Sequence, residues 1–592
     1  MLSPILALLA AGALPAMAPA MSLTLNPSAP SPEPVGTVIT WTAMVSDAAS
    51  GNLWYRFRAR AIGQDFRMIK DYGPDNNLDW TASDREGVYE IEADVRNTDT
   101  GDMARASAYF EMQSLVQSGG QPVITPTTHP LVFLYSAPAC ADGARMRVQF
   151  TSSGGVVRNT PYRACEAGLS MNFYLAGMQA QTQYSVHHTI DTGSAFRDGP
   201  VLTATTPDAG MDFVSRTVLQ APPANVPDGV LLQATTASNP MATDLNGNVI
   251  WYYPGNLDFS VVGPFVLTRP DNGGYFWSII ENPNGDQAHQ ILREFDLTGR
   301  TVLETNAARI NEQLAALGKR AIGAFHHEAR RLPDGKILVL ASSEQILTDV
   351  QGPGPVDIIG STIVVLDRNL QVTWVWDSFD YLDTTRMATL NDYCPFGGCP
   401  PLFLASAAND WLHGNAVQQT PDGNLLLSAR SQDWVIKIDY ANGEGGGDVI
   451  WRLGKDGDFQ PISTDPDPWF SHQHDPHFLA DNSAVLLFDN GNVRFTNDPG
   501  AHSRGQLLQL DEENRLATFI LNADLGQFSS ALGSAQKLPN GDYHFDLGVL
   551  QDSSSRAIEV APSGQSVYIL GVAAPEYRSF RMRDLYTYAA LD

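Results

Sequence analysis

Histidines stand at the entrances of apolar strands in this chain, and that is where its chemistry concentrates. The densest case is Ser471–Asn490, SHQHDPHFLADNSAVLLFDN, where His472, His474 and His477 run straight into Ala484–Phe488. Ionisable groups crowded at a strand entrance cost stability unless they are paired or put to use. The arrangement recurs twice. Phe325-His326-His327-Glu328 precedes a Pro333-Asp-Gly turn, and Trp411-Leu-His413-Gly-Asn415 precedes a Pro421-Asp-Gly turn and Leu425-Leu-Leu. Spacings of 86 and 61 residues separate His327, His413 and His474, so only a repeat fold with equivalent strands would bring them to one point. Three imidazoles and Arg430 on one funnel point either to group transfer involving an oxyanion or to a metal site. A metal-dependent hydrolase is the weaker of the two, because no acidic third ligand accompanies paired histidines.

The elements that must position these residues form a long repeat. From about Met211 an apolar-Asp-x-x-Gly/Asn-x-apolar signature recurs at Asp244, Asp296, Asp367, Asp439 and Asp511, with a degenerate copy at Val560. Intervals of 71, 72 and 72 residues separate the copies from Asp296 to Asp511. Each copy reads as a hairpin, interleaved with Pro-Asp-Gly or Pro-Asn-Gly hairpins at 333, 421 and 539. Periodic four-stranded units of this kind predict a six-bladed β-propeller over 209–592. A parallel β-helix has a far shorter repeat. Residues entering the innermost strands would then line one end of an axial channel.

Upstream, alternating strands without helical stretches predict an all-β front: an immunoglobulin-like sandwich over 21–113 and a second sandwich-like module over 123–208, joined by Ser114–Pro122. Neither shows a site. Residues 2–20 are apolar and rich in alanine, which reads as a secretory signal with cleavage near Ala20. A membrane anchor is the alternative, but Pro4, Pro15 and Pro19 break the run. Four cysteines suit an oxidising compartment, with Cys140–Cys165 and Cys394–Cys399 as expected disulfides; a metal pair at CPFGGC competes with the second. A net charge of -28 argues against nucleic acid and anionic membrane as partners. Apolar content of 43% supports packed cores in an exported, soluble protein, with a homodimer admissible.

Six motifs in order carry a resemblance. Phe325-His-His-Glu, Asp410-Trp-Leu-His-Gly-Asn, Leu427-Ser-Ala-Arg430, Val449-Ile-Trp-Arg-Leu-Gly454, Gln473-His-Asp475 and Leu487-Phe-Asp-Asn-Gly491 together resemble the arylsulfate sulfotransferase family. The resemblance implies transfer of a sulfuryl group from a phenolic sulfate ester to a phenol, through a sulfated histidine, with no nucleotide donor, cofactor or metal. It matches His474 to the nucleophile, and His413, Asn415 and Arg430 to groups holding the sulfuryl oxygens. One of His326 and His327 belongs to the site, with His327 favoured beside Glu328. Asp475 is a candidate to orient the imidazole or merely to cap a turn, and Ser534 a candidate to reach the funnel. His472 and His477, which flank the motif, read as rim or structural residues, Arg452 and Arg494 as salt-bridged, and Trp411, Trp434 and Trp451 as packing. The insertion Gly443–Gly447 is expected to affect acceptor access, and the Cys394–Cys399 loop to cover the funnel. A non-catalytic propeller that binds sulfated or phenolic ligands, or a protein, is the alternative function.

Overall fold

The computed structural model describes residues 21–588, apart from 49, 117–118, 224–228, 256–265, 283–284, 396–400 and 481–482. The expected signal at 2–20 and Cys399 therefore lie outside the described residues. The chain is all-β, and the longest α-helix among the described residues is Ala307–Ala316. No helix among them is long and apolar enough to cross a membrane.

Alternation shapes the front of the chain. Ile39–Ser46 buries Ile39, Trp41 and Ala43, and Leu53–Ala61 buries Tyr55, Phe57 and Ala59, every second side chain in each case. Two sheets enclose Trp41, Phe57, Ile91 and Phe110. A second pair of sheets encloses Tyr135, Met146, Phe150 and Val186, with the Cys140–Cys165 disulfide inside that core.

Every copy of the aspartate signature, including the degenerate one, is an antiparallel hairpin. The cause is local. Asp296 Oδ1 accepts from the backbone N–H groups of Thr298 and Arg300, and Asp367 does the same for Asn369 and Gln371. Such Asx turns pre-form the reversal. The proline turns at 333, 421 and 539 join the first two strands of their sheets.

Six strands lead these sheets: Val266–Asp271, Phe325–Arg331, Gly414–Gln419, His474–Phe478, Ser534–Lys537 and Glu576–Met582. Each packs on the next, and the last packs back on the first. Glu576–Met582 is also the edge of the sheet begun by Val230–Thr235, while Arg216–Gln220 completes the sheet ending in Ser566–Val572. The chain is thus joined to itself twice. Most sheet-to-sheet contacts are apolar, as where Leu338, Trp376, Trp411 and Leu427 meet. Truncating one of those tryptophans to alanine costs about 3–5 kcal/mol.

One sequence expectation needs correction here. The Gly443–Gly447 insertion does not reach the histidines. It joins the two outer strands of its sheet, and the carbonyls of Gly445, Gly446 and Gly447 accept from Trp374, Tyr381 and Trp376 of the preceding sheet. Its role is to accept from these indole and phenol donors. Cys394 is buried against Ile359 and Ala408, and its expected partner falls outside the described residues.

Candidate active site

All three histidine strands carry an irregularity at the same place. Pairing slips between Phe325 and Ala329, between Gly414 and Ala416, and between His474 and His477. At or beside each slip a non-glycine residue takes a left-handed backbone: His327 (φ 61), His413 (φ 48) and Asp475 (φ 49). Each costs on the order of 1–3 kcal/mol and persists only where its surroundings impose it. The bulges turn the imidazoles out of the strand alternation and toward one another.

His474 is 1% exposed, and its Nδ1 lies 2.6 Å from Asn490 Oδ1. The Asn490 amide is oriented by its nitrogen, which donates to the carbonyls of Ser529 and Leu532 at 3.0 and 3.1 Å. Its oxygen can only accept, so Nδ1 of His474 carries the proton and Nε2 keeps a lone pair. Burial, and then the nearby Arg430 guanidinium, hold the pKa of this imidazole well below its ordinary value. The ring is held neutral, with Nε2 unprotonated.

His413 is held from its other side: Nδ1 bonds the Asp410 carboxylate at 2.5 Å, three residues back. Its ring lies 5.0 Å from that of His327, which in turn lies 5.6 Å from Tyr577. His326 and His327 share a bond between their Nδ1 atoms at 2.8 Å. The His326 ring also bonds the backbone of Ala341, so both its nitrogens face protein, and His327 is the one that turns to the cluster. Burial, then His413, pushes His326 down to about 3. Burial, then His326 and His413, holds His327 well below the usual range.

Arg430 reaches the cluster from the strand after His413, and its backbone N–H donates to the His413 carbonyl at 3.3 Å. Asp392 grips its guanidinium at 3.2 Å and also faces His472 Nε2, whose Nδ1 lies 2.9 Å from Asp433. Burial pushes Asp392 up, but His472 and Arg430 outweigh it and hold the carboxyl at about 2. His472 is buried, and Asp392 and Asp433 raise its pKa against burial and Arg430. Of the rim and structural roles open to it from sequence, it takes the structural one, as a buried prop for the arginine clamp. Asn415 has one amide N–H on the Gln473 carbonyl at 2.8 Å and keeps the other. His477 lies past the bulge, where Nδ1 meets the Asp475 carbonyl.

Two candidate residues go elsewhere. The Asp475 carboxylate does not orient His474. Its left-handed backbone swings it to Arg269 at 3.2 Å, in a buried network of Arg269, Glu328 and Arg578 below the histidines. Burial raises Glu328, but Arg269, Arg330 and Arg578 outweigh it and hold the carboxyl at about 2. The Ser534 hydroxyl bonds the Ser579 carbonyl at 2.8 Å, tying two strands together. Arg494 pairs with buried Asp489 at 2.7 Å, and Trp411 and Trp451 are core. Among the described residues no three His, Cys, Asp or Glu are grouped to hold a metal.

A cavity of about 1700 Å³ lies away from His327, His413 and His474. It opens at the far ends of the same inner strands, beside Arg269, Arg330 and Tyr588, under Phe66 and Trp80 of the front sheets.

Asn490, Asp410, Asp392, Asp433, Tyr577 and Arg578 escaped assignment from sequence. Asp410 stood three residues before His413 and Asn490 two beyond the partner of His474, both inside motifs already singled out.

A family model described as Arylsulfotransferase (ASST) matches residues 202–572. No curated protein matches the chain significantly. Among solved structures, the FN1–FN3 domains of chicken CNTN1 are similar at 9% identity, over 31% of this chain and 64% of that one, with a TM-score of 0.13. The chain thus spans under two thirds of that relative, and so loose a superposition carries no argument about fold.

Proposed function

Because the chain belongs to the arylsulfotransferase family, we propose that it transfers a sulfuryl group from a phenolic sulfate ester to a phenol through a sulfated His474. Family membership supports aryl sulfotransfer in general. What favours this particular route is the Nδ1–H bond from His474 to Asn490, which leaves Nε2 as an unprotonated nucleophile beside Arg430.

In the first half-reaction Nε2 attacks sulfur, the N–S bond forms, and the S–O bond breaks with its electron pair leaving on the phenolic oxygen. His413, entering the step as an imidazolium with its Nδ1–H on Asp410, delivers its Nε2 proton to that oxygen and is left neutral. Arg430, with the remaining Asn415 N–H, faces the charge on the non-bridging oxygens. The sulfated ring keeps its Nδ1 proton and is an imidazolium, hence a good leaving group. In the second half-reaction an acceptor phenol gives its proton to His413 and attacks sulfur, and the N–S electrons return to Nε2. One hard displacement becomes two easier ones.

The surrounding assembly is read as a six-bladed propeller over 209–592 behind two sandwich modules, 21–113 and 123–208. The double joining of the ring and the six signature hairpins support that reading. The leader-like 2–20 and the Cys140–Cys165 disulfide support export.

The test is p-nitrophenyl sulfate with and without phenol, in the absence of nucleotide. Phenol-dependent release of p-nitrophenol with formation of phenyl sulfate is expected, together with loss of both in folded His474→Ala. Release without acceptor would make the protein a sulfatase, and no release under any acceptor a binding module.

A further inference from the structure

We propose that Arg578 is a positioning residue that sets all three histidine strands at once, an inference that rests on the sulfotransfer reading above. Arg578 stands on Glu576–Met582, is 2% exposed, and projects among the other inner strands. Its Nη1 donates to Glu328 Oε2 at 2.8 Å and lies 3.7 Å from Asp475 Oδ1, and its Nη2 donates to the Asn415 carbonyl at 2.7 Å. Those targets are the residue after His327, the residue after His474, and the second residue after His413. Each lies within the slipped part of its strand. Its neighbour Tyr577 adds a fourth tie, donating to the His327 carbonyl at 3.1 Å.

One planar guanidinium thus spans three bulges whose left-handed residues are costly on their own. A flat fork with fixed donor angles does this. A lysine ammonium, a point donor on a flexible stem, would satisfy one target and release the others. The groups gripped are backbone and carboxylates behind the imidazoles, so Arg578 acts through the histidines and not on the sulfuryl group. Displacing a catalytic group by about 1 Å costs on the order of 100-fold in rate.

The test compares Arg578→Ala, Arg578→Lys and Tyr577→Phe with the wild type in p-nitrophenyl sulfate and phenol. Arg578→Ala is expected to lower kcat about 100-fold with KM for the ester within twofold, and added guanidinium at non-denaturing concentration to restore kcat at least tenfold. Arg578→Lys is expected to remain at least tenfold low, and Tyr577→Phe to fall by less than Arg578→Ala. A folded Arg578→Ala with normal kcat overturns the proposal, as does a rise in KM alone or a failure of guanidinium to restore kcat. Imidazole 15N spectra are read in parallel and do not depend on activity. In Arg578→Lys, which keeps the charge should the alanine variant not fold, the His327 and His474 resonances should move while those of His129 and His188 stay. Unmoved His327 and His474 signals overturn positioning whatever the reaction is. Moved signals in a protein that transfers no sulfuryl group uphold positioning and sink the reaction.

Discussion

Replacing Asn490 asks whether a single buried acceptor decides which nitrogen of His474 attacks. In Asn490→Ala the Nδ1–H loses its partner at 2.6 Å, where both side chains are buried. The ring then either keeps that proton unsatisfied or moves it to Nε2 and ceases to be a nucleophile. Either route carries the cost of an orphaned buried polar group, about 1–3 kcal/mol. At about 1.4 kcal/mol per tenfold, that lowers kcat between roughly 5- and 150-fold. Asn490 touches the ring from behind, so KM for the aryl sulfate should not change. Both Asn490→Ala and Asn490→Asp lose the amide N–H groups that hold Ser529 and Leu532, so their difference isolates the acceptor. The aspartate keeps an oxygen at that position and adds a charge that favours imidazolium. Its activity should be low in acid and recover toward wild type as pH rises, whereas the alanine variant stays low throughout. Steady-state rates from pH 5 to 9, with melting curves to confirm folding, measure this. An alanine variant within twofold of wild type, or an aspartate variant that tracks it at every pH, would refute the tautomer argument.

Two further outcomes follow from groups away from the histidines. Burial pushes Glu576 up to about 8, and Asp546 beside it is raised by burial and then by Glu576. A carboxyl with a raised folded pKa contributes its stability fully below about 4.5 and loses it as pH climbs toward 8, at about 1.4 kcal/mol per unit. The melting-temperature advantage of Glu576→Gln over wild type should therefore grow between pH 5 and 8 and then level off, and a constant difference would refute it. The Cys140–Cys165 bond closes a separation of 25 residues, so its reduction should cost the second pair of sheets about 3 kcal/mol. Melting with and without reductant should show a lowered early transition while sulfuryl transfer persists.

What the sequence discloses about this molecule is mostly what is local. The aspartate turns cap their own backbone, so five of the six hairpins are legible from that signature and the sixth, at Val560, from its Pro-Ser-Gly turn. The histidines announced themselves because ionisable residues at a strand entrance break the apolar pattern. Asn490 was within reach, since pairing His474 with Phe488 places residue 490 just beyond the imidazole. Asp475 misled because strand alternation assigns it a face that its left-handed backbone abandons. His472 stayed open between rim and structural roles because nothing local reveals Asp392, 80 residues away, on its other nitrogen. Arg578 was illegible for a plainer reason: its targets lie 163 and 250 residues earlier, and only the way the ring joins brings them together.

That joining also sets a clock. Glu576–Met582 completes a sheet begun at Val230, so the pocket around His474 cannot take shape while residues 576–582 are still on the ribosome. Contacts this distant in sequence form slowly and late. On the export proposed above, delay is a safeguard. The proposed nucleophile would come into existence only after the whole polypeptide has crossed, and phenols and sulfate esters of the compartment that made it would never meet a working site.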